Sequence, residues 1–226
     1  MLFNSFEFLF LFLPGVLAAY YLARRYLSHL AALFILNLAS LVFYAWWDVR
    51  NLPLLLFSVA MNHIVARAMA RWGNQPFLAI GIIFNLALLG FFKYADFLIG
   101  NVNALTPLEL PLLNVGLPLA ISFFSFQQIS FLVDIARKKT APGHIFSHTL
   151  FVSFFPHIVA GPLVQHHQIA AQFADDKRKD DLSANLGIGL TIFSIGLAKK
   201  VLIAENIEPF ASSLFAMAER GGEPSL

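Results

Sequence analysis

No cysteine occurs anywhere in the 226 residues, and only 12% of them are charged. The first absence excludes disulfides, thiolate metal sites and thiol nucleophiles. The second removes the chain from the usual soluble range, in which roughly a quarter of residues carry charge. A net charge of +2, dispersed over the ends of apolar runs and not gathered into one patch, leaves no nucleic acid interface. There is no G-x-G-x-x-G followed by strand and helix periodicity, no G-x-x-x-x-G-K-[ST] loop and no G-x-S-x-G elbow, so nucleotide-binding and serine-hydrolase folds lack support.

What fills the chain instead is apolar: 58% hydrophobic residues, 25 of all residues being phenylalanine. Apolar stretches of about 16 to 22 residues, bounded by short basic clusters, match the thickness of a bilayer core. The expected fold is all-α, a polytopic helical membrane protein with about six or seven hydrophobic segments, one of them broken or re-entrant. Residues 1–226 read as a single transmembrane region. Five spans fall within 1–139, at Phe6 to Leu22, Leu30 to Trp47, Leu52 to Ala70, Phe77 to Leu98 and Val115 to Asp134. Residues 140–170 form the broken or re-entrant segment, and 171–226 a polar loop followed by further hydrophobic helices. No positive n-region precedes the first run, and its basic pair follows it, so it is expected to be retained and not cleaved as a signal peptide.

The basic residues predict an orientation. Arg24 and Arg25, Arg67 and Arg71, and Arg137, Lys138 and Lys139 all fall on one side if each span crosses; Arg50 and Lys93 fall on the other. By the positive-inside rule the first side is cytoplasmic and the N-terminus faces outward. The next segment, "FFPHIVAGPLVQHH" at 154–167, lies between basic clusters at 137–139 and 177–179. If both are cytoplasmic, the chain must enter and return on one face, which is tolerated at membrane depth only inside protein or against a wet cavity.

Seven histidines invite a metal reading. His144 and His148 are spaced i, i+4, and His166 and His167 are adjacent, as in HxxxH and HxxHH motifs of membrane di-iron enzymes. Position 163 is Leu, so the ligand count falls short and no metal is expected. His157 lies between helix breakers. It is either a functional ionisable group in the membrane or a ring that bonds a carbonyl freed by Pro156 or Pro162. Asn37, Asn62, His63, Asn85, Gln127 and Gln128 read as interhelical hydrogen-bonding groups. Asp134 reads as a solvated partner of the adjoining cations.

Four stretches in order resemble the membrane-bound O-acyltransferase family, in its alginate O-acetyltransferase-like branch. They are "FYAWWDVRNLPLLL" at 43–56, "LGFFKYADFLIGNVNAL" with "LPLAISFFSFQQISFLVDIARKK" within 89–139, "FVSFFPHIVAGPLVQHHQIAAQF" at 151–173 and "AKKVLIAENI" at 198–207. The resemblance implies a membrane enzyme that passes an acyl group, commonly acetyl from coenzyme A or another acyl thioester on the cytoplasmic side, to a hydroxyl. The acceptor would be an exported polysaccharide such as alginate, or a partner protein, in the bacterial inner membrane. Its implied partners are membrane lipid, the donor and polysaccharide-modifying proteins, with no bound cofactor and no nucleic acid.

The family's catalytic histidine lies in a later helical region, beside tryptophan and glycine. The chain is therefore expected to correspond to the N-terminal half, with no catalytic residue before Leu226 and no activity by itself. Candidate substrate-binding residues are His157, Gly161, Pro162 and Gln127. Gln165 and His166 stand where relatives often carry a basic residue, and Phe131 and Ala136 where tyrosines are frequent. The alternative is a transporter or scaffold that uses the broken helix as a substrate path.

Overall fold

The computed structural model describes residues 2–73, 75–158, 166, 169, 172–173 and 182–219. Among them there are helices and irregular connections and no strand, so the chain is a helical membrane protein. Five helical stretches are long and apolar enough to cross a bilayer: Glu7–Tyr26, His29–Trp47, Val49–Trp72, Gln75–Leu105 and Ser183–Ser212. Residues 12–176 make one compact unit, and residues 2–11 with 177–226 make another.

The first unit opens with α1 (Leu13–Tyr26), which follows along the chain a π-helical turn, Glu7–Phe12, whose residues up to Leu11 are counted with the second unit. The wider turn precedes Pro14, which has no N–H for the carbonyl four residues earlier and whose ring would crowd it. Ser28 caps α2 (His29–Trp47) by accepting from Ala31 N at 3.1 Å. Asp48 then turns the chain: its Oδ1 accepts from Arg50 N at 2.9 Å and Arg50 Nε at 3.0 Å. Those bonds hold the Asp48 carboxyl below its ordinary range. Pro53 starts α3 (Leu52–Trp72) where a missing N–H costs nothing, and Gly73, at φ 112°, ends it. At 21 residues, α3 rises about 31 Å, one bilayer core.

Helix α4 (Gln75–Leu105) runs past the expected Leu98, and the chain then folds back on its end. Asn103 bonds both the carbonyl and the N–H of Leu110, at 2.8 and 2.9 Å, and Leu113 N donates to Asp96 Oδ1 at 2.7 Å. The next helix, α5 (Ile121–Ala136), starts at Ile121 and not at Val115. The delay has a local cause: Ala120 is left-handed at φ 59°, and the Leu119 carbonyl accepts from the Tyr44 hydroxyl at 3.0 Å. Helices α6 (Ile145–Ser153) and α7 (Phe155–Ile158) are separated by Phe154.

Packing in this unit centres on α3, which touches α4, α5 and α6, while α2 touches α1, α6 and α7. Gly81 lets α4 approach α5, since a Cβ there would collide with the Leu132 side chain and sit 3.2 Å from Val65 Cγ1. Lipid gives no hydrophobic drive between helices, so polar pairs and close packing set the register. Asn62 and Asn85 form a reciprocal amide pair, with Nδ2 to Oδ1 distances of 3.2 and 2.6 Å. Each also donates to a carbonyl one turn back in its own helix, Ser58 at 2.9 Å and Gly81 at 2.8 Å. Gln128 Nε2 donates to Ser58 Oγ at 2.8 Å, and Asn37 Nδ2 to the Phe146 carbonyl at 3.1 Å. Asp134, expected in solvent, is buried at the end of α5.

The second unit contains α8 (Leu182–Ala198), a π-helical turn Lys199–Ala204 and α9 (Glu205–Glu219). Ile188, Leu190, Ile192 and Ile195 are each more than half exposed, as suits side chains facing acyl chains. The two lysines that interrupt this apolar run fall in the π-helical turn. Lys200 Nζ donates to Asn4 Oδ1 at 2.8 Å, and Asn4 Nδ2 donates to Glu205 Oε1 at 2.6 Å. The cation is thereby tied into a polar chain, as charge in an apolar helix requires.

Candidate functional site

The site is built on the break between α6 and α7. An unbroken helix would carry a bond from Phe155 N–H to the Phe151 carbonyl, and from residue 156 to Val152. Pro156 has no N–H to give. Phe154, at φ −52° and ψ 111°, turns out of the helix. The Phe155 N–H leaves for α2, donating to Ser40 Oγ at 3.3 Å, while Ser40 itself donates to the Leu36 carbonyl at 2.7 Å. The chain restarts when His157 N and Ile158 N both bond the Phe154 carbonyl, at 3.1 and 3.2 Å.

The Phe151 carbonyl is thus deprived of its helical partner inside the protein, where an unsatisfied group is costly. Two side chains take the place of the lost N–H. Gln127 Nε2, from α5, lies 3.1 Å from the oxygen, and His157 Nε2 lies 3.0 Å from it. The two nitrogens are 3.0 Å apart. Because an Nε2 lone pair would face the carbonyl lone pairs, the proton belongs on Nε2, and both nitrogens donate to one oxygen. His157 Nδ1 makes no hydrogen bond among the described residues. The imidazole is buried and packed by Phe123, Phe151 and Phe154, with ring centroids 6.1, 6.3 and 5.4 Å away.

A second polar group surrounds Phe131. His148 is fully buried and stacks on that ring at 4.1 Å; neither of its nitrogens has a hydrogen-bond partner among the described residues. His63, from α3, lies 5.8 Å from His148 between centroids, its Nδ1 likewise without a partner among the described residues. His166 meets Phe131 and Phe151 edge-on at 4.6 and 4.8 Å, and its Nδ1 is 3.2 Å from Thr140 Oγ1. His144 occupies the cap position before α6, outside the helix that carries His148. Among the described residues no three His, Asp or Glu side chains are grouped to hold a metal ion.

Of the four candidate residues, His157 and Gln127 meet on one carbonyl oxygen. Gly161 and Pro162 lie outside the described residues, as does His167. Ser40 and the Phe151 carbonyl are participants that sequence reasoning did not single out. The signal for Ser40 was a hydroxyl in a mostly apolar span, three residues after Asn37.

At the far end of α3, His63, Arg67, Arg71 and Trp72 line a pocket of about 700 Å³ together with Pro142 and Gly143. The end of α3 and the start of the 140–170 segment therefore share a face. His29, at the start of α2, donates from Nε2 to the Phe173 carbonyl at 2.7 Å.

The chain is similar to a peptidoglycan O-acetyltransferase of Helicobacter pylori, 39% identical over 96% of this chain and 47% of that protein. It is 36% identical to a probable alginate O-acetylase AlgI of Pseudomonas syringae and 34% identical to one of Azotobacter vinelandii. Those matches cover 96% and 97% of this chain, and 42% and 44% of the relatives. The chain thus spans about half the length of the curated relatives it matches. No family model and no solved structure matches.

Proposed function

The chain belongs to the membrane-bound O-acyltransferase family, and from that premise we propose that the protein it forms, wholly or in part, transfers acetyl groups to hydroxyls of an exported polysaccharide. The observation that carries this reading is the match to O-acetyltransferases over nearly the whole chain. Alginate and peptidoglycan, the polymers in the relatives' names, share sugar hydroxyls as acyl acceptors. The donor is an acyl thioester such as acetyl-CoA, arriving from the cytoplasmic side of the bacterial inner membrane. Partner proteins that handle the exported polymer complete the system.

The face carrying Arg24, Arg25, Arg67, Arg71 and Arg137 to Lys139 is the cytoplasmic one, and the N-terminus is outside. Re-entry of the broken segment is supported at both of its ends. Pro142 lies in the pocket with Arg67 and Arg71, and Phe173 accepts from His29. His29 begins α2 and Trp72 ends α3, so a helical hairpin of these two spans brings both ends to one side.

In this reading His157 and Gln127 are positioning residues. The Nε2 proton of His157 and the Nε2 amide of Gln127 both serve the Phe151 carbonyl, which suits the pair to hold the break open along the acyl path. The test is made in the producing cell. Deleting the gene should remove O-acetyl ester from the exported polysaccharide, measured by proton NMR after mild alkaline release, and the intact gene should restore it. Unchanged ester content in the deletion strain would sink the proposal.

A further inference from the structure

We propose that the pocket at the end of α3 binds a phosphate group. His63, Arg67 and Arg71 follow one another at four-residue steps, so they form a single stripe along α3, and all three line the pocket. Among the described residues no aspartate or glutamate lines the pocket. Neither guanidinium has a carboxylate partner among the described residues; Arg71 instead lies over the Trp72 ring, 5.2 Å from its centroid. Both are exposed, and His63 closes the inner end of the stripe, its Nδ1 buried and without a hydrogen-bond partner among the described residues. A guanidinium is a planar fork of N–H donors that suits phosphate oxygens better than a point charge does, and two of them stand one turn apart on α3.

The remaining wall distinguishes this pocket from a merely basic surface. Ile64, Ala68 and Ala70 continue it with apolar side chains, Ile64 being 61% exposed. A guest with a phosphate and an adjoining apolar portion satisfies both parts. Two sources have that chemistry: the headgroup of an anionic phospholipid and the phosphates of a soluble thioester donor. The site is inferred from its own geometry and does not require that the protein transfer acyl groups.

The experiment uses the full-length protein in phosphatidylcholine nanodiscs and measures binding without turnover. One arm adds phosphatidylglycerol to the disc and reads lipid retained after extraction by native mass spectrometry. The other titrates inorganic pyrophosphate and coenzyme A by calorimetry. Binding in the first arm alone identifies a lipid headgroup; binding in the second identifies a soluble phosphate. Arg67→Gln with Arg71→Gln should weaken whichever is bound at least about tenfold, the loss of charge-assisted hydrogen bonds. Arg67→Lys with Arg71→Lys should retain part of the binding. The proposal is overturned if neither arm shows binding, or if the double glutamine variant binds as the wild type does. It is equally overturned if Arg24→Gln with Arg25→Gln has the same effect, because then only general surface charge is at work. Unaltered helical content by circular dichroism separates lost binding from lost fold.

Discussion

Removing the two donors on the Phe151 carbonyl one at a time and then together should give a strongly non-additive result. Gln127→Leu leaves His157 Nε2 at 3.0 Å from the oxygen, and His157→Leu leaves Gln127 Nε2 at 3.1 Å. Either single variant loses one interhelical hydrogen bond, about 0.6 to 1 kcal/mol in a membrane bundle. Gln127→Leu also deletes Oε1, which is buried without a partner, so its cost should be the smaller. The double variant differs in kind. Phe155 N–H is already committed to Ser40, so no backbone donor can return to the oxygen without rebuilding the break. A buried carbonyl left with no partner costs a further 1 to 3 kcal/mol or so. The double variant should therefore exceed the sum of the singles by about 1 kcal/mol or more. The assay is a titration from mild detergent into dodecyl sulfate, following helical circular dichroism, with all four proteins compared at their midpoints. Additivity to within about 0.5 kcal/mol would refute the shared-acceptor arrangement.

The Asn62–Asn85 pair should couple with the opposite sign: each single change to leucine strands a buried amide at about 1 to 3 kcal/mol, while the double change costs less than the sum, by the same titration. Gly81→Val should destabilise by about 1 to 3 kcal/mol, since its Cβ meets the buried Leu132 side chain; a midpoint unchanged from wild type would mean that α4 and α5 do not approach there. Ala141→Cys and Gln172→Cys, in a chain with no native cysteine, should both react with an impermeant maleimide only after the cell membrane is opened. Labelling of one from outside the intact cell would contradict re-entry.

The helices themselves were readable from composition because apolar length and basic ends are local properties. Span two needed only its apolar run and Ser28 as a cap; span three needed only Pro53 and Gly73 at its ends. The break at Phe154 was announced by Pro156. Partnership was not readable. His157 has no serine or carboxylate in its own stretch, 154–167, and its companion donor comes from α5, thirty residues earlier. Ser40 comes from 115 residues away, and only the folded chain brings its hydroxyl to Phe155. The carbonyl involved was also displaced from expectation. Proline arithmetic points to Val152, four residues before Pro156, whereas the oxygen held by His157 is that of Phe151, whose N–H donor was drawn off by α2.

The same comparison bears on where function resides in this bundle. Between α3 and α4 the polar inventory closes on itself, because Asn62 and Asn85 satisfy each other and the carbonyls behind them. Around α5 and α6 it does not. Ser125 Oγ, Gln127 Oε1, Gln128 Oε1 and both nitrogens of His148 are buried without a hydrogen-bond partner among the described residues. For Ser125 and His148, whose side chains make no hydrogen bond among the described residues, cohesion alone would be better served by an apolar side chain of like size, since a buried polar group without a partner is costly. The surplus lies beside the broken helix. The closed amide pair of α3 and α4 is thus a fixed frame, and the unsatisfied polar groups of α5 and α6 are held against it next to the break at Phe154.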